Sequence, residues 1–283
     1  MKKTFPLTII TINLNNKSGL QRTAESIISQ SEFSKVEWIV VDGNSVDGSI
    51  EIISKYNKYI TICIIEEDSG IYNAMNKGIR IAHGEYLFFL NSGDCLYNSR
   101  VLENFLSLKS FGRYDYYVGK MIFSDRENVK KILSPLNRVT LSSIMKETIA
   151  HPASFIKHTR FKNMQYDENY RIVSDLKHFL IDLVFNCASY MPLDFVISVF
   201  DNSGISSLQI EKVNEERRRM FSECIPLPIM QDYIQFVYEK GYLHRFIRNV
   251  PINSIEYKFV GFIAALIYFP RFIVKRISTL FTK

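Results

Sequence analysis

Cysteine is scarce in this sequence. Four residues, Cys63, Cys95, Cys187 and Cys224, are spread over 283 positions with no CxxC pair. That spacing excludes a zinc-ribbon type of site and a dense disulfide framework, and a reducing compartment is the simplest setting. Glycine and proline are also few, 12 and 8, while 47% of the residues are hydrophobic. Extensive disorder is therefore not expected, and there is no internal repeat or low-complexity linker. The apolar run at residues 259–270 has twelve residues, against the roughly 20 that a bilayer-spanning helix needs. The opening stretch, MKKTFPLTIITINLNN, starts with two lysines, but Thr8, Thr11 and Asn13 interrupt its apolar part and no small-residue cleavage site follows. It reads as a first strand and not as a secretory signal.

What is present is a chain long enough for one large domain, or one domain with appendages. Its net charge of +6 suits anionic partners. The basic residues are scattered and no recognition motif appears, so nucleic acid is not among the expected partners.

The first hundred residues alternate between two periods. LTIITI, VEWIVVD, ITICIIE and EYLFFL read as strands. Between them, Leu20, Ala24, Ile27 and Ile28, then Ile50, Ile53 and Tyr56, then Ile71, Ala74, Met75, Ile79 and Ala82 fall on single helical faces, with Gly84 placed to end the third helix. This rhythm predicts an α/β fold, a mostly parallel central sheet flanked by helices. In such sheets ligands bind beyond the carboxyl ends of the strands. Three of the strands end in polar loops, at residues 11–16, 42–47 and 91–94. A sheet edge with three such loops predicts a site.

From residue 100 the rhythm loosens. YDYYVGKMIF and its neighbours give short β pieces, and in NYRIVSDLKHFLIDLVF the residues Ile172, Leu176, Phe179, Leu180 and Leu183 share a helical face, placing Asp175 near a helix start. At the C-terminal end, Phe272, Ile273, Ile277, Leu280 and Phe281 share a face beside Arg271, Lys275 and Arg276. This mixture suits an amphipathic helix at a membrane surface, residues 255–283. A docked terminal helix or a homo-oligomer contact is the competing reading. The domain reading is 1–210 for the α/β domain, with halves at 1–100 and 101–210, and 211–283 for a helical C-terminal extension.

The blocks VVDGNSVDGS and EEDSGIYNAMNKGIRIAHGEYLFFLNSGD, followed by HPASF, YRIVSDLKHFLIDL and DNSGISS, resemble the family 2 glycosyltransferases of GT-A fold, especially the bacterial group that builds capsule, colanic acid and O-antigen units. The match is close over residues 6–100. It implies inverting transfer of a sugar from a nucleotide-diphosphate donor, UDP-sugar favoured and GDP-sugar the alternative, to a hydroxyl of a polyprenyl-diphosphate-linked saccharide on the inner face of the cytoplasmic membrane.

The resemblance also implies roles. Thr11, Asn13 and Asp42 would serve the nucleoside, with Gly43 standing where the family often has a second Asp. Asp47 is equally suited to capping the next helix. Asp68, Asn76 and Lys77 would flank the donor cleft, although a helical lysine is also simply a solvated surface residue. At the fourth strand end the family holds Mg²⁺ or Mn²⁺ with a DxD-type cluster. Here Asn91, Ser92 and Gly93 precede Asp94, the one carboxylate left, with Gly93 permitting close approach. Asp175 aligns with the family's general base, although a carboxylate there also suits a helix N-terminus; Asp167 and Glu168 are reserves. His151, Ser203, Gly204 and Ser206 would line the acceptor side. The competing functions are a sugar-phosphate nucleotidyltransferase, for which TINLNNKSGLQR offers no convincing triphosphate loop, and a non-catalytic scaffold of the same fold.

Overall fold

The computed structural model describes residues 5–125, 128–201 and 209–235. Strand β1 (Phe5–Asn13) and strand β2 (Val36–Asp42) are buried on both faces, as the centre of a parallel sheet requires. They pair in parallel from Leu7↔Val36 to Asn13↔Asp42. Strand β3 (Ile62–Ile65) lies outside β2, and β4 (Gly84–Phe89) lies on the far side of β1, both parallel. The crossovers are α1 (Lys17–Ile28), α2 (Ser49–Tyr56) and α3 (Ile71–Ile81). The carboxyl ends of these strands therefore share one edge.

Beyond β4 the pairing changes. Strand β5 (Cys95–Leu96) and helix α4 (Val101–Leu106) are followed by the hairpin β6 (Tyr116–Asp125) and β7 (Asn128–Leu133). After α5 (Leu141–Lys146) come β8 (Ser154–Lys157) and, later, β9 (Tyr190–Asp201). The sheet order is β3-β2-β1-β4-β8-β6-β9-β5, with β7 on β6. Strands β4 and β8, and β8 and β6, are antiparallel, whereas β6 and β9 are parallel. The first four strands are thus wholly parallel, and the rest of the sheet is mixed.

Trp38, Tyr86, Phe88, Phe105, Tyr117 and Phe155 form the heart of the core. Phe105 and Phe155 stack at 3.8 Å between ring centres, and each such buried aromatic contributes about 2–3 kcal/mol. Gly84 does not close α3 as the sequence suggests. It opens β4, where a Cβ would come within 2.4 Å of the Thr8 backbone nitrogen, so the strand entry admits glycine alone.

Helix α6 (Ser174–Phe179) continues into a π-type turn at Leu180–Phe185. Ile172 lies before this helix, so the apolar stripe starts earlier than the helix does. Helix α7 (Ile210–Cys224) turns the Glu216 carboxylate onto the backbone N–H groups of Arg171 and Ile172, at 3.0 and 2.9 Å. The chain divides into two compact units, Met1–Cys224 and Ile225–Lys283. In the second, α8 (Leu227–Ile234) has Pro226 at its N-cap. Among the described residues no helix is long and apolar enough to cross a membrane. The expected surface helix at 255–283 lies outside the described residues.

Candidate active site

The three polar loops join one another. Asn13 donates to Asp42 Oδ2 at 2.6 Å and to Ser45 Oγ at 3.2 Å, and Ser45 donates through its backbone N–H to Asp42 Oδ1 at 2.7 Å. This closes the β2 loop as an Asx-type turn and ties it to β1. Asn16 caps α1 by accepting from Gly19 N and donates to the Ser92 carbonyl at 2.9 Å, which ties the β1 loop to the β4 loop.

At the end of β4, the chain turns through Gly93 at φ +110°, a left-handed conformation that favours glycine. Thr23 of α1 fixes this turn: its hydroxyl accepts from Gly93 N at 3.0 Å and donates to the Asp94 carbonyl at 2.7 Å. The Asp94 side chain is buried, and one oxygen accepts from the Asp201 backbone N–H at 3.0 Å. Burial pushes its carboxyl up to about 7 against the pull of that hydrogen bond and of His151. Asp201, at the end of β9, pairs with Arg22 at 2.8 Å.

Next to the β4 end, His151 Nδ1 stands 2.8 Å from Asp175 Oδ2. The Asp175 Oδ1 atom accepts from the Tyr72 hydroxyl at 2.9 Å and from Leu176 N at 2.9 Å. Burial alone would raise this carboxyl, but the hydrogen bonds from His151, Tyr72 and Leu176 hold it below the ordinary carboxylate value. An ionised carboxylate only accepts, so Nδ1 carries the imidazole proton. The opposite nitrogen, Nε2, lies 3.4 Å from Asn91 Nδ2. One imidazole therefore spans from the candidate base to the end of β4.

A model of the glycosyl transferase family 2 matches residues 8–172, more than half of the sequence. The chain belongs to glycosyl transferase family 2. As an enzyme it is a nucleotide-sugar-dependent glycosyltransferase. An uncharacterized glycosyltransferase of Mycobacterium tuberculosis is 28% identical over 208 residues, covering 71% of this chain and 77% of that protein. The poly(ribitol-phosphate) beta-N-acetylglucosaminyltransferase TarP of Staphylococcus aureus is 25% identical over 226 residues, with coverages of 75% and 67%. Among solved structures, S. aureus TarS 1-349 superposes with a TM-score of 0.59 at 16% identity, covering 89% of this chain and 76% of that one. The Pyrobaculum calidifontis mannosyltransferase PcManGT, solved with GDP-Man and Mn²⁺, gives 0.58 at 14% identity, with coverages of 94% and 81%. The fold is GT-A.

Within the transferase, the structure brings Asn13, Asp42, Asn91, Ser92 and Asp94 to one edge and carries His151 and Asp175 to it. Two expected donor contacts do not hold. Thr11 sits two residues below Asn13, fully buried, and its hydroxyl accepts from the Trp38 indole at 3.1 Å; it supports the floor and has no surface to offer a ligand. Asn76 is 1% exposed, and its amide is consumed by the Tyr166 carbonyl at 2.8 Å, Glu168 at 2.8 Å and the Tyr166 N–H at 3.0 Å. It clamps the acceptor-side loop to α3. Lys77 is neither solvated nor free: it pairs with Asp68 at 2.7 Å and Glu66 at 2.9 Å. Asp68 remains beside the β2 loop, since a Cβ added at Gly43 would lie 3.1 Å from its Oδ2. Asp47 accepts from Ser49 and Lys17, a tether between α1 and α2. The reserve bases are occupied, Asp167 by Lys177 and Glu168 by Asn73 and Asn76. Ser203, Gly204 and Ser206 lie outside the described residues.

Sequence reasoning missed Tyr72, Ser45, Arg22 and Asp201. Ser45 sits in the quoted β2 loop and was within reach of turn chemistry. Arg22 and Asp201 meet across 179 positions and Tyr72 and Asp175 across 103, separations at which periodicity carries no signal.

The oxygen atoms at the β4 end suit a divalent cation. Asp94 is a desolvated carboxylate, and Asn91 Oδ1 is a buried acceptor with no hydrogen-bond partner. Both are hard oxygen ligands; Asn91 Oδ1 has no donor, and Asp94 has one backbone N–H that does not offset its burial, so they fit Mg²⁺ or Mn²⁺. Among the described residues no group of three or more His, Cys, Asp or Glu side chains is assembled for a metal, so phosphate oxygens and water must complete any coordination.

Proposed function

We propose that this transferase moves a sugar, with inversion, from a nucleotide-diphosphate donor to a hydroxyl of a polyprenyl-diphosphate-linked saccharide in bacterial surface polysaccharide synthesis. The observation that carries this reading is the bridge from Asn91 through His151 to Asp175, which sets a carboxylate base one imidazole away from the strand end where donor phosphates are expected. Asp175 takes the acceptor hydroxyl proton as the oxygen attacks the anomeric carbon. The new C–O bond forms, the bond from that carbon to the phosphate oxygen breaks, and the nucleoside diphosphate leaves with its electron pair.

Asn13 and Asp42, both buried and bonded to each other and to Ser45, shape the loop that receives the nucleoside without presenting free polar atoms of Asp42 to it, and Asp68, Asn91 and Ser92 line the path of the donor. Asp94, with Asn91, would hold Mg²⁺ or Mn²⁺, which when bound would supply positive charge to the departing diphosphate. The relatives favour UDP-sugars, because TarS was solved with UDP and with UDP-GlcNAc; GDP-sugar is the alternative, after PcManGT. TarP is a poly(ribitol-phosphate) beta-N-acetylglucosaminyltransferase, a polymer-modifying activity that supports a surface-polysaccharide role, the capsule, colanic acid and O-antigen group being the specific version. The amphipathic sequence pattern of 255–283 supports a peripheral position, assigned to the inner face of the cytoplasmic membrane, and Ser203, Gly204 and Ser206 would serve the acceptor.

The test is calorimetric titration of the full chain with UDP, GDP and CDP, each with and without Mn²⁺. Metal-dependent binding of one nucleotide is expected. Binding of none overturns the reading.

A further inference from the structure

Helix α3 touches both halves of the active site, and one of its residues has no place in the scheme above. Lys77 holds the donor-side loop through Asp68 and Glu66, and Asn73 and Asn76 hold the acceptor-side loop through Glu168. One turn earlier, Tyr72 is 3% exposed, with its ring against that of Tyr166 at 5.4 Å. Its hydroxyl lies 2.6 Å from the Ile172 carbonyl and 2.9 Å from Asp175 Oδ1. Both partners are acceptors, so one phenolic proton is shared between the backbone just ahead of α6 and the carboxylate in its first turn.

We propose that Tyr72 is a positioning residue for the glycosyl transfer, fixing the Asp175 carboxylate and the approach to α6 through one hydroxyl.

The alternative is that Tyr72 merely fills the space under α6. The geometry distinguishes the two. A packing tyrosine needs no acceptor at the base, whereas this hydroxyl meets the oxygen opposite the one bound by His151. With Oδ2 on His151 Nδ1 and Oδ1 on Tyr72 and Leu176 N, the carboxylate is held at both ends and its rotation is fixed. General-base efficiency depends on such placement within hydrogen-bond reach. Burial keeps the Tyr72 phenol protonated far above neutral pH, so it remains a donor.

The charged and titratable groups that face Asp175 are known element by element. They are Tyr72 on α3, His151 before β8, Tyr166 in the loop ahead of α6, His178 on α6 itself and Arg217 on α7. Removing the Tyr72 hydroxyl withdraws one of the bonds that hold the carboxyl down, so the acid limb of turnover moves to higher pH.

The inference rests on the transferase reading, and the experiment separates the two. Nucleoside diphosphate release from the donor found by titration is followed across pH for the full chain, Tyr72→Phe and Tyr166→Phe. Tyr166 packs on Tyr72, but its hydroxyl has no hydrogen-bond partner, so Tyr166→Phe controls for hydroxyl loss as such. Tyr72→Phe is expected to lower kcat at least about tenfold, as for loss of a hydrogen bond to a charged group, with donor Kd unchanged and the acid limb moved upward. Tyr166→Phe is expected to leave all three in place. A Tyr72→Phe enzyme with kcat within about twofold of the parent and an unmoved limb overturns the proposal, as does a loss confined to donor affinity and melting temperature. If Tyr72→Phe does not fold, 3-fluorotyrosine at position 72 keeps the ring and gives a stronger donor. The limb should then move downward, and an unmoved limb overturns the proposal. A parent protein that turns over no nucleotide sugar instead sinks the transferase reading itself.

Discussion

His151 and Asp175 meet at 2.8 Å, joining an imidazole from the segment after α5 to a carboxylate in the first turn of α6. The pair is mostly buried on both sides. Apart from burial, which raises the Asp175 carboxyl, the His151 hydrogen bond is the largest influence on it and acts downward.

Replacing His151 by alanine should therefore let the Asp175 carboxyl rise. A base whose folded value is depressed is ionised at neutral pH, and it loses that state as pH falls through the folded value. With His151 gone, the loss begins at higher pH. The acid limb of the turnover profile should move upward and the rate at pH 6 should fall more than the rate at pH 8. A profile shifted equally at all pH values contradicts this.

Asp94 has the opposite sign. Its folded carboxyl is raised to about 7 from an ordinary 3.8, chiefly by burial. Between those values the folded chain holds a proton that the unfolded chain has lost, so stability falls as pH rises through this window. Above pH 7 the penalty is on the order of a few kcal/mol. Asp94→Asn should melt at a higher temperature than the parent at pH 8 in chelator, show little or no such gain at pH 4, and lose metal-dependent nucleotide binding. Equal melting differences at both pH values would count against an uncompensated carboxylate there.

Asn76→Ala tests the reassignment of that residue. The substitution strips partners from the Tyr166 N–H and carbonyl and from Glu168, and unpaired buried polar groups cost about 1–3 kcal/mol each. Chemical denaturation should show a loss of at least about 2 kcal/mol, with nucleotide affinity of the folded protein unchanged. A selective loss of affinity without destabilisation would return Asn76 to the donor site.

The sequence made the first half of the fold legible because its signals are local. Strands such as VEWIVVD are buried on both faces and read as nearly continuous apolar runs, Glu37 being the one charged residue inside this one, and the β1, β2 and β4 strands end in polar loops that the structure places on one edge. Asp42, Asp94 and Asp175 were legible as candidates because each sits at or past a strand end or at a helix start within a recognisable block. The acceptor half was less readable because β6, β8 and β9 pair over long separations with mixed direction. Thr11 and Asn76 were misjudged for a related reason: a polar residue in a strand end or helix resembles a ligand contact until its buried partner, here Trp38 or Tyr166, is known. Gly84 resembled a helix stop because its close approach to Thr8 lies 76 positions away.

The most direct test of the central claim is Asp175→Asn, measured for donor binding by calorimetry and for nucleoside diphosphate release in the same preparation. The amide preserves shape but not basicity. The account predicts donor affinity within about threefold of the parent and turnover reduced at least about a hundredfold. Near-parental turnover with intact binding would contradict it and remove Asp175 from the role of base.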